Sequence, residues 1–129
     1  DWFELNRDED RSFTRGLEVP YNPVVPAGWD SSPRTVQSDM YDKRHYPFGT
    51  VITGNTPELF RAALRRTADY MAAEGTGGIV HIACWNEWTE GAYLEPDTQY
   101  GYGRLEAVRE VFGLRSETVE AGEVAVCPM

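Results

Sequence analysis

The run Ile79-Val80-His81-Ile82-Ala83-Cys84-Trp85 constrains this chain more than any other stretch. Gly77-Gly78 leads into it, and apolar residues fall on both of its alternating faces. A strand of that kind is expected to be parallel and covered on both sides. A parallel neighbour needs a crossover connection, normally a helix, and a helix pattern stands just upstream. Thr56 can cap it, Pro57 suits the first helical position, and Glu58 favours the positive end of the dipole. Phe60, Leu64, Thr67 and Met71 follow at helical spacing with Ala63 and Ala68 beside them, and Gly75 after Glu74 is a natural terminator. Arg61, Arg65 and Arg66 read as a solvated face. An earlier strand at Val24-Val25 must be short, because Pro23 and Pro26 flank it and proline donates nothing to a ladder. After a polar loop, Leu105, Val108 and Phe112 stripe a last helix from Arg104 to Phe112, stopped by Gly113. The order strand, loop, helix, strand, loop, helix is a βαβα pattern, which implies a parallel sheet with right-handed crossovers.

The chain has 129 residues, enough for one compact domain, and four Trp, seven Tyr and five Phe can supply a core. Asp and Glu number 21 against 12 Lys and Arg, a net charge of -9. Such a surface repels phosphate backbones and anionic lipid, so neither nucleic acid nor a membrane is an expected partner. No apolar run approaches the roughly 20 residues of a membrane helix. The opening DWFELNRDEDR is acidic and polar, unlike a secretory leader, and residue 1 is Asp. A segment of a longer chain is therefore expected. Trp2, Phe3 and Leu5 suggest a helix end, and Val119, Val124 and Val126 mark a tail without pattern. Cys84 and Cys127 form no close pair, so no zinc is expected, two free thiols are favoured over a disulfide between them, and the compartment stays open. Residues 31–55 carry Ser, Pro and Gly turn signals, and loops this long usually bind something or cover a site.

The densest chemistry is Trp85-Asn86-Glu87-Trp88-Thr89-Glu90-Gly91-Ala92-Tyr93-Leu94-Glu95-Pro96. It begins where the apolar strand ends, and sites in α/β folds are built at the carboxyl ends of parallel strands. Glu87 and Glu90 can point into one cleft from a single turn, with Trp85 and Trp88 as flat apolar walls. Glycoside chemistry needs one carboxyl protonated and one ionised, and a like charge beside an indole wall can separate the two. From the residues alone, solvated loop carboxylates beside core tryptophans remain an equal reading. Asp30 and Arg34 beside Trp29 are either site residues or a structural ion pair. His81 reads as a hydrogen-bonded strand residue and His45 as surface. Tyr93, Tyr100 and Tyr102 either line a sugar groove or pack locally, and Glu95 fixes its loop.

The string WNEWTEGAYLEPDTQYGYGRLEAV resembles the C-terminal signature of WbsX-type, glycoside hydrolase family 99-like proteins, often described as polysaccharide-biosynthesis glycosyltransferases. It is more distantly similar to the WNEW-x-EG motif of the family 99 endo-α-mannosidases and endo-α-mannanases. Val25-Pro26-Ala27-Gly28-Trp29-Asp30-Ser31-Ser32-Pro33-Arg34 resembles the other family signature, and TPELF between them also fits. The resemblance covers about residues 20 to 113. It implies an α/β fold, the C-terminal part of a (β/α)8 barrel comprising the last two or so βα units. A whole barrel needs about 250 residues, so open sheet edges are expected, to be met by the rest of its own barrel or by self-association.

The resemblance further implies a carbohydrate-active enzyme on an oligosaccharide or polysaccharide. Glu87 matches the base that acts on the sugar's own neighbouring hydroxyl, and Glu90 the general acid that later serves as base. Trp29, Asp30, Arg34, Trp85, Asn86, Trp88 and Tyr93 are the implied substrate-binding residues. No phosphate loop or metal-ligand cluster is visible, so metal-free chemistry without a cofactor is expected. Thr89 stands where the hydrolases often carry His, which bears on the identity of the sugar. A non-catalytic carbohydrate-binding or assembly module is the alternative.

Overall fold

The computed structural model describes residues 22–35, 46–49, 51–74 and 78–113. Strand β1 is Val24–Pro26, helix α1 is Pro57–Glu74, and strand β2 is His81–Ala83. A hairpin of β3, Asn86–Glu87, and β4, Ala92–Tyr93, follows, and helix α2 is Gly103–Phe112. Two single-turn 3-10 helices, Ser32–Arg34 and Trp88–Glu90, sit after β1 and inside the hairpin.

Strands β1 and β2 pair in parallel, Val24 opposite His81, Val25 opposite Ile82 and Pro26 opposite Ala83. The His81 amide donates to the Pro23 carbonyl at 2.9 Å and the Ala27 amide to the Ala83 carbonyl at 2.6 Å. Pro26 therefore sits at a ladder position where its missing donor costs nothing. The β1-α1-β2-α2 order is the expected one.

Helix α1 starts as its sequence requires. The Leu59 amide reaches the Thr56 hydroxyl at 3.4 Å, and the Phe60 amide reaches the Thr56 carbonyl at 2.9 Å. The Glu58 carboxyl is held below its ordinary pKa, first by its own backbone amide and then by Thr56. Phe60, Ala63 and Leu64 of α1 are buried with Val25, Ala27, Leu94 and Ala107 in one core, and Ile82, Leu105 and Val108 pack against it. Full burial of Phe60 and Leu64 contributes about 1.5–3 kcal/mol each.

Three expectations need correction. The strand expected at Ile79–Trp85 is shorter and is covered on one side. Val25 is buried toward α1, whereas Val24 and His81 across from it are exposed, as is Ile79. Both helices lie against one face, so apolar residues on the other stay open. The arginine face of α1 is not simply solvated: Arg61 Nε pairs with Glu110 Oε2 of α2 at 2.6 Å, and Arg65 approaches the same oxygen at 4.0 Å. Two helices packed side by side bring opposite charges to their shared rim. On α2 the buried residues are Arg104 and Ala107, while Phe112 is 40% exposed. Leu105 and Val108 of the expected stripe do pack on the core, and Phe112 alone falls outside it.

Trp2, Phe3, Leu5, His45, Gly75, Val119, Val124, Val126 and Cys127 lie outside the described residues. Cys84 is free and exposed.

Candidate functional site

The stretch after β2 is a tight hairpin rather than the polar loop its composition suggests. Asn86 pairs with Tyr93 and Glu87 with Ala92, antiparallel. The Trp85 carbonyl accepts from the Leu94 amide at 2.8 Å and the Glu95 amide at 3.1 Å, which closes the base. At the tip, Trp88–Glu90 make one 3-10 turn that Gly91 ends with φ 59° and ψ 18°. Only glycine adopts that left-handed conformation without strain. A Cβ on Gly91 would also lie 2.9 Å from the Asp30 Cβ.

That close approach joins the two distant motifs. The Asp30 amide donates to the Glu90 carbonyl at 2.6 Å. A side chain on Gly28 would run into the Gly91 carbonyl and the Asn55 amide, which itself bonds the Ala27 carbonyl. Asp30 Oδ1 accepts from the Ser32 amide at 2.9 Å and sets the turn that carries Arg34, while Ser31 Oγ donates to the Pro47 carbonyl at 2.6 Å. Asp30 is thus a turn-shaping residue. Trp29, partly buried, accepts the Ile52 amide on its carbonyl at 2.9 Å.

Arg34 stands over both hairpin carboxylates. Its Nη2 donates to Glu87 Oε1 at 2.6 Å, and its Nε to Thr89 Oγ1 at 2.9 Å. The same Nε lies 3.5 Å from Glu90 Oε1. Thr89 Oγ1 donates in turn to Glu87 Oε1 at 2.8 Å, and Tyr46 OH donates to Glu90 Oε1 at 2.6 Å. One guanidinium therefore spans the two acids. The Glu87 pKa is held below the usual carboxylate range, first by the Thr89 hydroxyl and then by Arg34, against a desolvation cost. Arg34 is raised, chiefly by its bond to Glu87. Tyr46 is raised because its hydroxyl donates to Glu90. Ion pairs this exposed add little stability, so their consequence is orientation and charge state.

Beside the acids lies an aromatic wall. Trp88 and Tyr93 stack with centroids 3.7 Å apart and planes at 19°. Trp88 Nε1 donates to Glu95 Oε2 at 2.5 Å, so Glu95 fixes its loop as expected. The Arg104 guanidinium sits 5.0 Å from the Tyr93 centroid and 5.1 Å from that of Tyr100. Its Nη1 pairs with Asp97 Oδ2 at 2.7 Å, with both side chains under a tenth exposed. Burial pushes the Asp97 carboxyl up, but the Tyr100 amide, Arg104 and the Gln99 amide together hold it below its ordinary value. Burial and the Asp97 charge raise the Tyr93 hydroxyl.

Of the residues singled out in the sequence, Arg34, Glu87 and Glu90 converge directly, with Trp88 and Tyr93 adjoining. Trp85 and Asn86 are exposed at the hairpin base. Sequence reasoning missed Tyr46 and the bonding role of Thr89. The long loop around Tyr46 did signal a covering segment, without saying which side chain would reach in. Among the described residues, no group of three or more His, Cys, Asp and Glu side chains is arranged to hold a metal, and no helix is long and apolar enough to cross a membrane.

The profile of the family described as "Glycosyltransferase WbsX" matches residues 8–108. The chain belongs to the WbsX glycosyltransferase family. It is also 35% identical over 112 residues to the "Uncharacterized protein WxcX" of two strains of Xanthomonas campestris pv. campestris. That alignment takes in 85% of this chain and 14% of the relative, so the chain spans about a seventh of the length of the curated relatives it matches. No solved structure matches it. The WbsX match runs through both motifs that meet at Arg34, and the family it defines is one of carbohydrate-active enzymes.

Proposed function

We propose that this WbsX chain carries the catalytic edge of a (β/α)8-type domain that makes or breaks glycosidic bonds with Glu87 and Glu90. The observation that carries the reading is the Arg34 guanidinium bound to Glu87 at 2.6 Å and lying 3.5 Å from Glu90. Two glutamates held by one cation, at the carboxyl end of a parallel strand and beside a tryptophan, suit acid/base chemistry on a sugar. The open Val24–His81 face and the parallel β1–β2 pair also suit a barrel wall seen from inside.

Glu87, kept ionised by Thr89 and Arg34, is the base. It takes the proton of the sugar hydroxyl next to the anomeric carbon, and that oxygen attacks the anomeric carbon. Glu90, the less exposed of the two at 18% against 39%, gives its proton to the departing oxygen. The ionised Glu90 then takes a proton from water or an acceptor hydroxyl, whose oxygen opens the anhydro ring. The ring oxygen recovers the proton held by Glu87. The anomeric carbon is inverted twice, so configuration is retained. Tyr46 and Arg34 aim the Glu90 carboxyl through both steps.

In the intact protein, Glu87→Gln and Glu90→Gln are each expected to lower turnover at least about a hundredfold, with saccharide binding kept. Turnover that survives both substitutions would remove the acid/base reading and leave a carbohydrate-binding module.

A further inference from the structure

We propose that the open concavity beside the carboxylate hairpin is a second saccharide subsite that takes a neutral sugar ring. The site then recognises a chain of sugars rather than a single residue. This inference rests on the glycosidic-bond reading above.

The concavity holds about 540 Å³ between Trp88, Tyr93 and the loop that carries Thr98, Gln99 and Tyr102. That volume falls in the range of small-molecule pockets, about 300–1,000 Å³. Trp88 belongs to the carboxylate turn and also lines this hollow, so the two places are contiguous. Trp88 is 43% exposed, yet its ring cannot swing: Tyr93 stacks on it and Glu95 holds its indole nitrogen. The opposite rim is Tyr102, 67% exposed at the start of α2.

The loop between these aromatics is braced from beneath. Asp97 Oδ1 accepts from the Gln99 amide at 2.8 Å and the Tyr100 amide at 2.5 Å, and the Asp97 and Gly101 backbones bridge. Asp97 Oδ2 meets the buried Arg104. A charge pair placed under so short a loop fixes where Thr98, Gln99 and Tyr102 stand. Fixed aromatic faces bind the C–H face of a sugar ring, and hydroxyl and amide side chains suit its hydroxyls. The class of sugar follows from charge. Arg104 is spent on Asp97, Glu95 stands at the wall on Trp88, and the chain as a whole carries -9. An anionic sugar is repelled and a neutral one is not.

The test uses the intact protein with Glu87→Gln and Glu90→Gln, titrated calorimetrically with neutral tetrasaccharides of glucose, galactose and mannose. Their disaccharides and tetragalacturonate complete the panel. At least one neutral tetrasaccharide is expected to bind more tightly than its disaccharide. Tyr102→Ala and Gln99→Ala are each expected to weaken it about fivefold or more, while disaccharide affinity changes less than about twofold. Tyr102→Phe, which keeps the ring, is expected to retain most of the affinity. Melting temperatures establish that the variants fold, as expected for exposed positions. Three results would overturn the subsite: no binding of any neutral tetrasaccharide, affinity indifferent to both substitutions, or tighter binding of tetragalacturonate. Failure of the catalytic reading looks different: wild-type turnover in the Gln variants, with Tyr102-dependent binding intact.

Discussion

Thr89 shows how much one hydroxyl can decide. It donates to Glu87 and accepts from Arg34, and it is the first cause of the lowered Glu87 pKa. A carboxyl lowered in the folded state contributes stability above its unfolded pKa of about 4.3, and that contribution is lost as pH falls through the folded value. If Glu87 is the base proposed above, the same titration switches it off. Thr89→Ala removes the largest favourable contact, so the Glu87 pKa rises toward its ordinary value. The acidic limb of the pH–rate profile is expected to move to higher pH, with the rate above about pH 7 less affected. A profile that stays put would show that Glu87 does not govern that limb. Melting temperature is expected to change little, because the group is exposed.

At the scale of elements, the hairpin and the turn after β1 are held by backbone approach. Gly91→Ala forces a left-handed alanine and also drives its Cβ against Asp30. Gly101 has a similar φ of 54° with nothing near its Cβ, so Gly101→Ala isolates the backbone cost, about 1–2 kcal/mol. Gly91→Ala is expected to cost more than that and to lower turnover, since Asp30 and Arg34 would be pushed from the acids. Denaturant melts of the two variants, with turnover for Gly91→Ala, check the order. Equal losses would mean that the two turns are not tightly docked.

The brace under the second loop gives another comparison. Asp97→Asn preserves shape and leaves Arg104 buried without its counter-charge, which is expected to cost about 3 kcal/mol. A loss below about 1 kcal/mol in chemical denaturation would place the pair effectively in solvent.

For the whole molecule, the telling feature is a sheet with one open face. Val24 is 48% exposed and Ile79 63%. If the barrel proposal holds, further strands and their side chains cover that face in the intact protein. Val24→Asp then buries a carboxylate without a partner and is expected to lower the melting temperature by several degrees. A true surface position would tolerate it within about 0.5 kcal/mol, and such tolerance would count against the barrel.

Local pattern was enough to place α1, β2 and α2 along the chain, because the period of apolar residues reports which elements must leave water, but it overstated the length of β2 and its cover on a second face. The two chemistry-bearing strings could likewise be read directly, as could the capping of α1 by Thr56. The hairpin at Trp85–Glu95 was not legible: β3 and β4 are two residues each, too short to carry an alternation. Nor could periodicity say that Arg34 would meet a carboxylate 53 positions later, or that Tyr46 would reach Glu90. Those contacts follow from the parallel register of β1 on β2 and from two glycines that let their loops touch. A sequence states which surfaces must leave water, whereas the packing of backbone against backbone determines which side chains then share a site.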